Sequence, residues 1–215
     1  MKKVPFYSNT KDDTHCYQAA IKMILKYFLP DRTFSWKELD EMTEKKEGMW
    51  TWPIKGVLAL HRMGFDIQDI ENFDYEQFIR DPMSYLKYEY GEEVATEQSL
   101  HSDVGQAAID AKEALRVIPI QKRIPTLVDL DTLLDDKRLL VCLVNSQKLN
   151  RKKGYVGHFV VVWKSTDKVI FLHDPGLPPR KNRQVSKRVF EEAWAYPNEK
   201  AKGIMAFKLK EFRGV

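Results

Sequence analysis

Cysteine is scarce in this chain of 215 residues, which has only Cys16 and Cys142. Two thiols are too few for a disulfide framework, and neither has the paired spacing of a zinc site. No segment approaches the ~18 apolar residues that a membrane span needs, and the N-terminus lacks the apolar region of a signal peptide. We therefore expect a cytoplasmic protein that needs no metal or other cofactor.

The small excess of positive charge is spread along the chain and does not form one long block. Thirty-five Lys and Arg residues face 31 Asp and Glu residues, which leaves a net charge of +4. The sequence has no phosphate-binding loop, dinucleotide fingerprint or nucleic-acid motif, so we expect no nucleic-acid partner. A hydrophobic content of 43% suits one large globular domain, which we place over residues 1–215.

The first half of the chain has mostly helical patterns. Apolar residues recur at steps of three and four from Tyr17 to Phe28, which predicts a helix with Cys16 in its first turn. Cap residues and capping boxes predict further helices at about 36–46, 53–63, 75–90 with a break at Pro82, and 104–117. The polar stretch 91–103 reads as a loop. Residues of about 65–124 are thus a candidate for an inserted helical subdomain.

The second half has mostly strand patterns. After a short predicted helix at about 129–137, four runs are rich in β-branched and aromatic residues: "RLLVCLVN", "GHFVVVW", "KVIFLHD" and "GIMAFKLK". Helices first and an antiparallel sheet second predict an α+β fold, in which a helical half packs on a C-terminal antiparallel β-sheet.

Cys16 has the surroundings that a nucleophilic thiol needs. It follows three cap-type residues and begins a helix, where unpaired backbone N–H groups favour a thiolate. Cys142 lies inside a buried apolar strand and reads as an inert thiol. His15 adjoins Cys16 in sequence, but consecutive helix positions point about 100° apart, so we expect it to flank the site.

The base that such a thiol requires is expected from the strands that contain His158, His173 and Asp174. A three-residue loop at 165–167 would place His158 directly opposite Asp174, whereas a two-residue loop would bring His173 to the face of His158 instead. The first register yields a histidine oriented by a carboxylate, which is the arrangement that supports a thiolate.

Two further features bear on the site. The loop "PGLPPRKNRQVSKR" follows Asp174 and is basic; if it overhangs the cleft, we expect it to bind an acidic peptide or a carboxylate end. A metal site would have to gather Cys16, His158, His173 and Asp174, which have no ligand-spacing motif.

Four segments resemble the papain-like cysteine peptidases, and within them the bacteriocin-processing, double-glycine peptidases: "VPFYSN", "HCYQAAIKMIL", "GYVGHFVVVW" and "VIFLHDPG". The resemblance implies a papain-like fold. It also implies that Cys16 is the nucleophile, His158 the general base and then acid, Asp174 the residue that orients His158, and Asn9 the side-chain donor to the oxyanion.

The sequence departs from that family at two positions. Tyr17 follows Cys16 where the family often has glycine, and Asn9 stands where it has glutamine. The resemblance implies a cysteine hydrolase, a peptidase or amidase, that acts on a peptide or protein through an acyl-thioester. Two alternatives remain open: an acyl or γ-glutamyl transferase of the phytochelatin-synthase type, and a catalytically inactive domain that binds peptides.

Overall fold

The computed structural model describes residues 3–210. Its helices are α1 (Cys16–Phe28), α2 (Trp36–Thr43), α3 (Ile54–Arg62), α4 (Tyr75–Arg80), α5 (Pro82–His101), α6 (Val104–Val117), α7 (Leu127–Asp135), α8 (Ser146–Leu149) and α9 (Lys187–Trp194), with a 3₁₀ turn at Glu199–Ala201. Its strands are β1 (Phe65–Glu71), β2 (Ile120–Lys122), β3 (Leu139–Asn145), β4 (Gly157–Ser165), β5 (Val169–Asp174), β6 (Arg180–Ser186) and β7 (Gly203–Leu209).

The strands form one seven-stranded sheet in the order β2-β1-β7-β3-β4-β5-β6. Every neighbouring pair is antiparallel except β1 and β2, which run parallel. A helical first half packed on a largely antiparallel sheet confirms the α+β fold that the sequence predicts. In the part of the chain that the structure describes, no helix is long and apolar enough to cross a membrane.

The sheet separates two hydrophobic cores. The larger core packs α1, α3 and the helices α4 to α6 on one face, and the smaller core packs α7 and α9 on the other. Residues of β3 alternate between them, since Val141 belongs to the first core and Cys142 to the second. Burial on both faces explains why β3 reads as a continuous apolar run.

The cap residues predict the helix starts well. Ser35 and Glu38 form the capping box of α2, while Asp74 caps α4 and Asp103 caps α6 through their side chains. The chain also breaks at Pro82, which begins α5 after α4 has ended. These local hydrogen bonds depend on residues three apart, which the sequence displays directly.

The loop predicted at 91–103 is wrong. Gly91 interrupts α5 with a positive φ of 87°, and the helix then continues to His101. Val94 and Ala95 are buried, and Ala95 belongs to the larger core, while most residues around them are exposed. Tertiary packing of this narrow apolar face stabilises a helix that the overall composition does not indicate.

The segment of about 65–124 is helical only between α4 and α6. Its first and last parts are β1 and β2, which the sequence did not predict and which pair in parallel at one edge of the sheet. Both ends of the segment therefore contribute strands to the main sheet. A single domain over 1–215 with a helical insertion there remains a prediction.

Candidate active site

Cys16 is the first residue of α1 and is partly exposed. Helix α1 packs on β4, because its apolar positions face the larger core. The backbone N–H groups of its first turn lack intrahelical partners and point toward the thiol end of the helix. The ammonium group of Lys45 is also close enough to interact electrostatically with Cys16. Both features favour negative charge on the sulfur.

Tyr17 points away from the thiol, into the core. Its side chain is 1% exposed, and its hydroxyl donates to the carbonyl of Pro53 at 2.8 Å. The ring lies over Gly56, where a Cβ would come within 2.4 Å of the Tyr17 oxygen. The Tyr17 side chain therefore occupies the space that the missing side chain of Gly56 leaves free, and it does not cover Cys16.

The strand pair β4 and β5 brings His158 beside Asp174, with His158 Nε2 and Asp174 Oδ1 2.8 Å apart. The predicted direct pairing of the two residues is wrong. Val161 lies opposite His173, so Asp174 lies opposite Val160 and reaches His158 diagonally along the same face.

A bulge at Trp163 decides which residue meets His158. On the loop side of the bulge, Ser165 pairs with Ile170, and beyond it the register shifts by one residue. Without that shift, His173 would share the face of His158 and Asp174 would point to the other side of the sheet. His158 and Asp174 therefore meet as the sequence predicts, but through a different register.

Asp174 is held by three donors. Its Oδ1 accepts from His158 Nε2 and, at 3.1 Å, from the N–H of Gly176, and its Oδ2 accepts from Arg183 Nη1 at 2.6 Å. Burial alone would raise the pKa of Asp174, but the hydrogen bonds and charges of His158 and Arg183 outweigh it and lower the pKa to about 2. The carboxylate is therefore ionised throughout the physiological pH range.

His158 sits between Asp174 and Cys16. Burial opposes its charge, but hydrogen bonds to Asp174 and to Cys16 outweigh that effect and raise its pKa to about 10. Because Nε2 binds Asp174, Nδ1 is the ring nitrogen left for the thiol. The imidazole is thus placed to exchange a proton with the sulfur, while the ionised carboxylate holds the ring on its other side.

Asn9 is buried close to the start of α1, and its side chain organises the preceding loop. Its Oδ1 accepts from the N–H of His15 at 2.7 Å, and its Nδ2 donates to Asp13 Oδ1 at 2.7 Å. An amide nitrogen has two hydrogens, so one remains beside the bond to Asp13. Burial raises the pKa of Asp13, which faces both Asn9 and the charge of His158.

The other histidine of the strand pair and the second thiol have structural surroundings. His173 accepts from the N–H of Asn182 at 3.1 Å and lies 3.2 Å from the carbonyl of Val4, so both ring nitrogens are engaged. Cys142 is fully buried, and burial raises the pKa of its thiol well above the ordinary range. His15 lies between Asp12 and Asp40, beside the site.

Three residues of the site were not assigned a role from the sequence. Arg183 belongs to the basic stretch that we expected to bind substrate, yet it bridges Asp174 and the carbonyl of Leu149. Gly176 lies so close to His158 and Asp174 that a Cβ there would be 3.1–3.3 Å from their atoms. Asp13 is one of the three cap-type residues that precede Cys16, and its position in the sequence indicates no further role. Their proximity depends on tertiary contacts that no sequence spacing reveals.

Two cavities meet at Cys16. One, of about 80 Å³, contains the cleft between Cys16, His158 and Asp174 and is bordered by Arg180. The other, of about 160 Å³, runs from Cys16 between the helices α5 and α6 and the sheet. Within residues 3–210 no group of three His, Cys, Asp or Glu side chains is arranged to hold a metal ion.

This fold is that of the papain-like peptidase domains. The chain belongs to the family described as the Peptidase_C39 like family, whose profile matches residues 58–214. The matched range includes His158 and Asp174, whereas Cys16 and Asn9 precede it. A search of curated proteins finds no match.

Two solved structures are similar to it. The peptidase domain of Streptococcus ComA, a bifunctional ABC transporter of a quorum-sensing pathway, has 13% identity and a TM-score of 0.52, covering 97% of this chain and all of that one. A putative C39-like peptidase from Bacillus anthracis has 14% identity and a TM-score of 0.51, covering 97% and 96%. At these identities the likeness shows the fold.

Proposed function

We propose that this protein is a cysteine peptidase or amidase in which Cys16, His158 and Asp174 form the catalytic triad. The observation that supports the proposal best is the position of His158, which lines one cleft with Cys16 and lies 2.8 Å from Asp174. The same family membership that favours a peptidase favours a peptide or protein as the substrate. A cytoplasmic location belongs to the same proposal.

In the proposed reaction the Cys16 thiolate attacks the carbonyl carbon of the scissile bond, and a C–S bond forms. The protonated His158 then gives its proton to the departing amine as the C–N bond breaks, which leaves an acyl-thioester. A water molecule that loses a proton to His158 then attacks the thioester. The C–S bond breaks, the carboxylic acid product leaves, and the Cys16 thiolate and protonated His158 are restored. Asp174 keeps the imidazole oriented throughout.

The developing negative charge on the carbonyl oxygen needs hydrogen-bond donors. We assign this role to the backbone N–H of Cys16 and to the second Nδ2 hydrogen of Asn9. Loss of one such donor typically costs about 10²–10³ in rate, so Asn9→Ala should slow the reaction by that factor without preventing Cys16 from reacting.

Hydrolysis is tested with a mixture of several hundred peptides, analysed by mass spectrometry for new termini. The proposal predicts products with the wild type and with Cys142→Ala, and none with Cys16→Ala. Products that persist in Cys16→Ala would contradict it. Added hydroxylamine separates hydrolysis from transfer, because a transferase would yield hydroxamates in preference to free acids.

A catalytically inactive, peptide-binding domain is the second candidate. The profile match that leaves out Cys16 is consistent with it, whereas the inward position of Tyr17 removes one reason for it. This candidate predicts that Cys16 reacts with iodoacetamide no faster than an ordinary exposed thiol, in both the wild type and His158→Ala.

A further inference from the structure

The larger of the two cavities at Cys16 is lined in part by two acidic side chains, those of Asp69 and Glu71. Asp69 and Glu71 are alternate residues of β1, so they share the face that looks into the cavity. The walls beside them are apolar and aromatic, and include Phe73, Tyr90 and Val94. A pair of acids in the wall of a largely apolar cavity is costly unless something else compensates for it.

Asp69 has no such compensation from the protein. Its side chain is 6% exposed, and among the described residues it has neither a hydrogen bond nor an ion pair. Glu71 has one partner there, the hydroxyl of Tyr75, which donates to Oε1 at 2.6 Å. Burial, together with the negative charge of Glu71, raises the pKa of Asp69 well above its usual value.

The lysines that line the same cavity are already paired. Lys202 Nζ lies 2.5 Å from Glu199 Oε2, and Lys200 Nζ lies 2.5 Å from Glu89 Oε1. Neither forms an ion pair with Asp69 or Glu71 in the described residues. The acids therefore present unused acceptor oxygens to whatever enters the cavity, as a site for a cation does.

The remaining walls select the kind of cation. A volume of about 160 Å³ accommodates a group of on the order of ten non-hydrogen atoms, given about 10–15 Å³ for one water. Apolar walls that include two acidic side chains suit a long alkyl stem with a charged tip better than a small hydrated metal ion, which needs more oxygen ligands.

We propose that this cavity is a specificity pocket for a basic side chain, such as that of lysine or arginine, whose charged end pairs with Asp69 and Glu71. This inference deepens the proposed function and rests on it in that the side chain is taken to belong to the peptide substrate. The cavity begins at Cys16, so the same peptide reaches the thiol while its basic side chain occupies the pocket.

Binding is measured by calorimetry and protein-detected NMR in the Cys16→Ala protein, which holds the pocket without turnover. The probes are Nα-acetyl-lysine methylamide and Nα-acetyl-norleucine methylamide, which share an alkyl stem and differ in the ammonium group. We expect the lysine probe to bind at least tenfold more tightly. Asp69→Asn should abolish that preference, and the same loss of charge at the exposed Glu76 on α4, as Glu76→Gln, should leave it unchanged.

Several results would overturn the pocket. Equal binding of the two probes, no binding of either up to 10 mM, or a lysine preference that persists in Asp69→Asn would each contradict it. So would binding of Mg²⁺ or Zn²⁺ that Asp69→Asn removes, if the lysine probe does not bind. Asp69→Asn replaces a buried acid whose pKa is already raised with an uncharged amide of the same shape, so we expect it to fold. Because Cys16→Ala cannot react, the binding experiment tests the specificity pocket independently of hydrolysis. The peptide mixture tests hydrolysis alone.

Discussion

The two thiols of this chain lie in opposite surroundings. Cys16 begins a helix, is partly exposed and has an imidazole beside it, whereas Cys142 occupies the middle of a central strand with apolar neighbours on every side. The difference lies in the electrostatics around each sulfur, since unpaired N–H groups, Lys45 and His158 all favour a thiolate at Cys16 and burial alone opposes it at Cys142.

The comparison teaches that position in the secondary structure controls what a cysteine can do. A strand interior offers a sulfur close packing and no donors, while a helix start at the edge of a cleft offers donors and access.

Removal of the sulfur gives the largest expected effect. Cys16→Ala should abolish both hydrolysis and alkylation at this position, since no other described group takes the place of the nucleophile. The measurement is product formation from the peptide mixture, with Cys142→Ala as the matched control that should keep wild-type activity. Equal activities of the two variants would contradict the assignment.

His158→Ala should lower the rate of hydrolysis by about 10²–10⁴-fold, because it removes the group that takes and returns the proton. In the wild type the pKa of His158 is raised to about 10, against about 6.5 in an unfolded chain. The imidazolium is therefore present at lower pH and is lost as the pH rises through about 10. Activity should fall in that range, and His173→Ala should not reproduce the loss at neutral pH.

Asp174→Asn should have a smaller effect, a reduction of about 10–10²-fold, because the thiol and the imidazole remain while the orientation of the ring is weakened. Arg183→Met should act in the same direction through Asp174, by a few-fold to about tenfold. A readout specific to the carboxylate is the pH profile, whose alkaline limb should shift to lower pH in Asp174→Asn, because the charge of Asp174 raises the pKa of His158. An unchanged profile in Asp174→Asn would argue against its role.

Gly176→Ala should reduce activity by about 3–10-fold. The new methyl group would lie 3.1 Å from Asp174 Oδ1 and 3.2 Å from His158 Cε1, so the pair must shift by a few tenths of an ångström. The variant should fold normally. Gly105→Ala, where the nearest atom is 3.7 Å from the added carbon, is the control for adding a methyl group.

Cys142→Ala gives the smallest expected effect on reactivity. It should leave the alkylation rate of Cys16 unchanged and lower the free energy of unfolding by about 1 kcal/mol, because a small void replaces the sulfur in a packed strand. Thermal unfolding measures the second effect. A loss of Cys16 reactivity in this variant would show that the two thiols are coupled.

Sequence reasoning reached the residues that lie within a few positions of a readable signal. Cys16 stands beside a helix cap, and His158 and Asp174 end apolar strands, so all three were accessible from local patterns. The bulge at Trp163 was not, because a register shift depends on how side chains pack across strands. For the same reason the pocket at Asp69 was hidden: β1 joins the sheet through pairing with β7, which is more than 130 residues away in sequence.

The basic stretch after Asp174 is a second case in which the sequence did not predict the role of a side chain. In the sequence its basic residues look equivalent. In the structure Arg183 forms an ion pair with Asp174, whereas Arg180 lies at the border of the cleft. Charge alone does not reveal which side chains are already engaged. An acidic group on the substrate is therefore expected only where Arg180 can reach it.

The pH dependence of alkylation at the two cysteines tests the proposed triad most directly. Native protein is labelled briefly with iodoacetamide from pH 5 to pH 9, and each site is quantified by mass spectrometry. The triad predicts that Cys16 is labelled far faster than Cys142, and nearly as fast at pH 6 as at pH 8. In His158→Ala the fast labelling of Cys16 at pH 6 should be lost. A thiol with an ordinary pKa of ~8.5 would instead slow by roughly 80-fold between pH 8 and pH 6. That result at Cys16, or preferential labelling of Cys142, would contradict the account.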